Sequence, residues 1–325
     1  MRKIITILIG LCAFFIVNAQ STQVATLFHN GDLKIFYTGQ ALVQAYEEAV
    51  DGDIITMSSG LFNAVNIEKN ITIRGAGMGL TPAGDNVAPT VISGYFYINC
   101  PKSETYNLNL EGLQHNQTIK IVRADRLNVM KCNFNSIESE SANNNTVMPD
   151  WVDFTFLHSQ IKNIPNNSPR PQTCSMNLIN CVVTNKFATS VSDKASYSFT
   201  NCVIDFGHNT LNNCSVNNSI LLNGIAIYSD SSINKCIIVN CNDYKAVREG
   251  NKFMIAGESP FKSEGYFVLT DDLITFTGTD GLQIGIHGGS LPFDPVLQIP
   301  RVSKFNVSSK TTTDGKLSVE IEIED

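Results

Sequence analysis

Residues 178–183 read LINCVV and residues 199–204 read FTNCVI, so an Asn-Cys pair recurs after 21 residues. The column continues to Ser219 in VNNSIL and Cys236 in INKCII, each 17 residues further on, and back to Ser159 in FLHSQI and Cys132 in VMKCNF. Looser matches place Gly112, Gly94 and Gly75 in the same column. A period near 20 residues is too short for a propeller blade or a pair of helices and suits one coil of a β-solenoid.

Two further columns give the repeat a physical meaning. Three residues before the Cys/Ser position stand Val129, Phe156, Leu178, Phe199, Val216 and Ile233; two residues after it stand Phe134, Ile161, Val183, Ile204, Leu221 and Ile238. All are apolar. Strands bury alternate residues, so each coil sends these side chains into a shared interior where like stacks on like about 4.8 Å apart. The residue just before the column is Lys131, His158, Asn180, Asn201, Asn218 or Lys235. Asparagine tolerates left-handed backbone, so this position predicts a tight bend between two strands. Just after the column, Val182, Val203, Ile220 and Ile237 should face outward. Such a stripe either is covered, with the C-terminal hairpin as the expected cover, or marks an interaction surface.

The first residues read as an export signal. Arg2 and Lys3 precede an apolar run from Ile4 to Val17, which ends in Val17-Asn18-Ala19. About 14 apolar residues are too few to span a bilayer, which takes about 20, so cleavage before Gln20 is expected. The mature chain would then be secreted or held at the outer cell surface, with no membrane span. Without Arg2 and Lys3 it carries 21 basic and 30 acidic residues. No basic face is clustered as a nucleic-acid partner would require.

At this point the chain resembles a known family. The bend asparagines, together with the entry segment GQALVQAYEEAVDGDIITMSSGLF followed by VNIEKNITIRGAG, are similar to right-handed parallel β-helix proteins of the pectate lyase and polygalacturonase type. The resemblance implies an all-β, right-handed parallel β-helix with an N-terminal capping helix and a short C-terminal β extension. In that helix Leu42, Ala45, Ala49 and Val50 form the apolar face. The segments ESPFKSEGYFVLTDD and TGTDGLQIGIHGG resemble the closing part of secreted bacterial members, and the glycines at 281, 285, 288 and 289 read as turns. The organisation is thus a signal peptide (1–19), an N-terminal strand and capping helix (20–52), the β-helix with its closing segment (53–299), and a hairpin or linker tail (300–325).

The chemistry carried by this scaffold is less explicit. Eight mature cysteines (100, 132, 174, 181, 202, 214, 236, 241) contain no Cys-x-x-Cys pair, and Ser and Gly share their column, so buried free thiols are expected rather than zinc ligands or disulfides. The family's lyases bind calcium through carboxylates on neighbouring coils and use Arg or Lys as base. Three residues after the column, however, stand Asn135, Lys162, Thr184, Asp205, Leu222 and Val239, with a single carboxylate among them. No cofactor is therefore expected, and Ca2+ enters only on the lyase alternative. The longest insertion, ESESANNNTVMPDWVD, carries the sole tryptophan, Trp151, between Asp150 and Asp153, with His158 and Arg126 as neighbours. A ring beside carboxylates makes a sugar platform, while the competing reading is that Trp151 anchors its loop. The candidate ligand-binding residues are Trp151, Asp150, Asp153, His158 and Asp205. The leading expectation is a surface protein that binds polysaccharide or another extracellular component without catalysis. A lyase or hydrolase of acidic, pectin-like glycans and a structural adhesin are the alternatives.

Overall fold

Stacking of the interior columns coils the chain into a parallel β-solenoid. The computed structural model describes residues 23–79, 88–140, 150–164, 173–187, 195–207, 211–223, 230–240, 249–263, 267–295, 301–311 and 317–324. The expected signal segment and Cys241 lie outside the described residues.

Each coil contributes a strand to a first face. Its members pair in parallel in the order Ile54–Met57, Thr72–Arg74, Leu108–Glu111, Leu127–Met130, the latter half of Asp150–Leu157, Cys174–Ile179, Ala195–Thr200, Cys214–Asn217 and Ser232–Asn234. A second face runs from Gly60–Asn63 and Thr90–Ser93 through Gln160–Ile164, Val182–Phe187, Val203–Asp205, Ile220–Leu222 and Ile237–Val239 to Lys252–Met254. A third, shorter face is built near the N-terminal end by Asn66–Ile67, Phe96–Asn99 and the middles of Leu113–Asp125 and Asn133–Ser139.

The register carries the interior columns without a slip. Ile55, Ile73, Leu110, Val129, Phe156, Leu178, Phe199, Val216 and Ile233 stack on the first face, and all are buried. Opposite them stack Phe62, Ile92, His115, Phe134, Ile161, Val183, Ile204, Leu221 and Ile238. Burying each such apolar side chain contributes about 1.5–3 kcal/mol, and this is the main force holding coil on coil. His115 is the polar exception, fully buried with Nδ1 2.9 Å from the Ile92 carbonyl.

The six bend positions all adopt left-handed backbone: Lys131, His158, Asn180, Asn201, Asn218 and Lys235 have φ between 47° and 53°. The glycine matches need correction. Met130 pairs with Glu111 and Arg74 pairs with Glu111, so Gly112 and Gly75 stand at the bend, one residue before the Cys/Ser position. Leu113 pairs with Thr90, so Thr90 rather than Gly94 lies level with that position. Small size alone misled the alignment where the interval between strands changes.

The column is more than a slot for small residues. Ser219 Oγ donates to the Asn217 carbonyl at 2.7 Å and accepts the Cys202 N–H at 3.0 Å, while the Ser219 N–H reaches Cys236 Sγ at 3.4 Å. Ser159 likewise takes the Cys132 N–H, and Cys132, Cys181 and Cys202 thiols lie against carbonyls two residues back. Cys and Ser interchange because each pairs a small volume with one donor and one acceptor.

An eight-residue helix, α1 (Ala41–Glu48), buries Ala41, Leu42, Ala45 and Tyr46 against the N-terminal strands; Ala49 is also buried, but Val50 turns out to solvent. The second described helix, α2 (Asp271–Ile274), opens the closing segment. That segment, and not the C-terminal hairpin, covers the apolar stripe: Val182, Val203, Ile220 and Ile237 are buried in one cluster with Leu273, Ile284 and Ile286. The hairpin itself pairs Arg301–Thr311 antiparallel with Leu317–Glu324.

Candidate functional site

On the first face, the residues between the buried columns point outward, and in-register pairing lines them into rows. One row reads Thr72, Asn109, Asn128, Thr155, Asn177, Ser198, Ser215 and Ser232. Two residues earlier on each strand, the same register gives Asn70, Asn107, Arg126, Asp153, Ser175, Ser196, Asn213 and Asp230. No apolar side chain interrupts either row. Amides bond along the stack: Asn128 donates to Asn109 at 2.8 Å, and Asn109 donates to Thr72 at 2.9 Å.

Toward the C-terminal coils these rows border a groove of about 500 Å³, lined by Ser175, Asn177, Ser196, Ser198, Ser215 and Asp230 among others. At the N-terminal end they enter a cavity of about 250 Å³ lined by Gly52, Asn70, Thr72, Tyr106, Asn107 and Asn109. Asn70 is 1% exposed, and its Oδ1, like that of Asn107, has no hydrogen-bond partner. An unpaired buried amide oxygen costs on the order of 1–3 kcal/mol, so this end of the face stores a polar deficit.

The candidate residues read from the sequence are dispersed. Trp151 is 3% exposed, stacked on Phe154 with ring centroids 5.4 Å apart, and donates Nε1–H to the Ile121 carbonyl at 3.3 Å. It anchors its strand to the core, and its ring offers no open face to a sugar. Asp150 lies in the strand Asp150–Leu157, opposite Arg123. Asp153 is exposed at φ 53° and accepts from Ser175 Oγ at 3.4 Å, which places it at the edge of the groove. His158 is buried at the closing segment, where Nδ1 accepts the Asp294 N–H at 2.8 Å and the ring stacks on Phe293. Asp205 accepts from the Gly207 N–H and from Asn223 Nδ2, which in turn accepts from Asn240 through its own Oδ1 at 3.2 Å. It therefore heads an amide ladder at another corner of the coil. Of the five, Asp153 alone is brought to the polar face by its described contacts.

A second concentration of chemistry, missed from the sequence, occupies the third face. Tyr97 pairs with Lys120, and Lys120 with Glu138, so their side chains share one outward row. Lys120 Nζ lies 2.9 Å from Glu138 and 3.6 Å from Glu140, beside Tyr95, which is 67% exposed. Burial pushes the Lys120 pKa down, but the hydrogen bond and charge of Glu138, with Glu140 behind it, outweigh burial and leave it raised. Lys120 is thus held protonated at neutral pH and is no general base. Glu138 and Glu140 open the insertion that contains Trp151, so the signal was the acids at its start rather than the ring at its end.

Among the described residues, no three His, Cys, Asp or Glu side chains converge as a metal site would require. The seven described cysteines are buried and stand outside any disulfide. Burial pushes Cys100, Cys132, Cys202 and Cys236 up to about 12 and Cys181 and Cys214 upward as well, so these thiols are neutral. No family model, curated protein or solved structure matches the chain.

Proposed function

We propose that this is a secreted or cell-surface β-helix of the pectate lyase and polygalacturonase-like type that binds polysaccharide along its first face without cleaving it. The observation that carries this reading is the pair of polar rows bordering the 500 Å³ groove. Strand spacing repeats hydroxyls and amides about every 4.8 Å, a step comparable to one sugar ring, and each such group both donates and accepts as sugar hydroxyls do. The neighbouring row contains Met130, Leu157 and Ile179, partly exposed, as apolar contacts for ring carbons.

Spacing argues against hydrolysis by the groove's acids. Asp153 and Asp230 are four strand steps apart in their row, roughly 19 Å at about 4.8 Å per step, whereas glycosidase carboxylates stand about 5–9.5 Å apart. The test is a screen of neutral and acidic glycans against the mature chain, with and without calcium, reading both binding and release of unsaturated or reducing products. Binding without product, weakened at least tenfold by Ser198→Arg in the groove, is expected. Product formation, or failure of every glycan to bind, would sink the reading.

A further inference from the structure

We propose that the cavity at the N-terminal end of the first face is a terminal subsite that takes one neutral saccharide unit, a reading that rests on the glycan-binding function above. Three features define what the cavity accepts. Asn70 Nδ2 donates to the Pro101 carbonyl at 3.1 Å, which fixes the orientation of the amide and leaves Oδ1 as a buried acceptor without a partner. Asn107, one coil further on and also lining the cavity, holds a second unpartnered Oδ1. Thr72 Oγ1 accepts from Asn109, so its own hydrogen remains available to donate.

With a small shift of the lining that uncovers the two buried oxygens, the site offers two acceptors and one donor. The acceptors sit on neighbouring coils, about 4.8 Å apart at strand spacing, which suits hydroxyls on alternate rather than adjacent ring carbons. Gly52, Asn70, Ile71, Thr72, Thr105, Tyr106, Asn107 and Asn109 line the cavity, and none carries a charge. A hard cation such as calcium is bound chiefly through carboxylates, so a neutral polyhydroxy ligand fits better than a metal. At 250 Å³ the cavity is just below the ~300–1,000 Å³ of drug-sized pockets, so a single sugar ring is the right scale.

Why this is an end follows from Gly52. Ile54 pairs with Thr72, so Gly52 is the next member of the row beyond Asn70. It has no side chain to offer, and a Cβ there would stand 2.5 Å from the Tyr106 ring. Tyr106 thus fills the place where the row would continue. Arg126 donates to the Ser103 carbonyl and ties the loop bearing Tyr106 to the same face. A glycan lying along the rows would stop here.

The experiment uses the mature chain, with one- to eight-unit neutral oligosaccharides of each polymer class titrated by calorimetry. Asn107→Ala and the near-isosteric Thr72→Val are each expected to weaken mono- to trisaccharide binding at least tenfold with thermal midpoint preserved. Ser198→Arg is expected to weaken only the longer chains. Short saccharides binding both cavity variants as well as the natural chain would overturn the proposal. So would a crystal grown with disaccharide in which Asn70 and Asn107 Oδ1 hold ordered water only. Loss of polymer binding with retained, Asn107-dependent binding of short sugars would overturn the groove reading and support this one; no binding of any length would overturn both.

Discussion

Asn180 meets two demands at once. Its φ of 47° needs a residue that tolerates left-handed backbone, and its Nδ2 donates to the carbonyls of Ile286 and Gly288 at 3.1 Å each. Asn180→Gly keeps the backbone freedom and loses both bonds, a cost of about 2 kcal/mol; Asn180→Ala adds about 1–2 kcal/mol of backbone strain. Urea midpoints should fall in that order, and equal midpoints would mean that the bend imposes no strain. At the neighbouring column, Ser219→Cys should be near neutral while Ser219→Ala costs about 1–3 kcal/mol, because alanine leaves the buried Cys202 N–H unpaired. The buried thiols predict a chemical result as well. Iodoacetamide at pH 8 should leave the seven described cysteines unmodified in the folded chain and alkylate them all in denaturant. The alternation and the bends were legible in the sequence because they depend on residues a few places apart. The hydrogen-bonding role of Cys and Ser was not, since its partners lie on the next coil.

The closing segment is the element whose role the bend column determines. It crosses the coils against the direction in which they grow: Phe276 under Lys235, Thr279 on Asn218, Ile286 on Asn180, and Asp294 on His158 and Lys131. Gly285 fits over Ile220 because a Cβ would stand 2.8 Å from its Cδ1, and its φ of 78° adds strain for any other residue. Gly285→Val should therefore loosen the segment and open it to limited proteolysis while the coils stay folded. His158 makes the docking sensitive to pH. Burial first, then the charge of Lys131, hold its pKa below the usual histidine value, and the neutral ring is the form whose Nδ1 can accept the Asp294 N–H. A depressed histidine contributes stability that is full above the unfolded pKa of about 6.5 and is lost as pH falls below it toward the folded value. Hydrogen-exchange protection in residues 276–294, taken relative to the intrinsic exchange rate at each pH, should fall between pH 7.5 and 5, and His158→Asn, which keeps the left-handed bend, should flatten that dependence. In the sequence Lys131 and His158 simply share the bend column with the asparagines. They are the two bends that meet Asp294, a residue more than a hundred positions away.

For the molecule as a whole, the closing segment shuts the second face over its last coils, while the polar rows of the first face border an open groove. Ending the chain at Thr270 should expose Val182, Val203, Ile220 and Ile237, with aggregation or strong binding of an apolar dye as the readout. What the sequence by itself determined is the coil: interior columns, bends and the outward stripe follow from a repeat of 17 to 27 residues and from strand alternation. Those rules are local and repeat at every turn. Only the tertiary structure decided what faces what. It buried Trp151 against Phe154, sent Asp205 and His158 to different corners, and brought Asn70, Thr72 and Asn107 to one cavity beside Tyr106. Those outcomes depend on register between coils and on how far each loop shifts it, and a side chain's neighbours across coils are set by stacking, which no short stretch of the chain records.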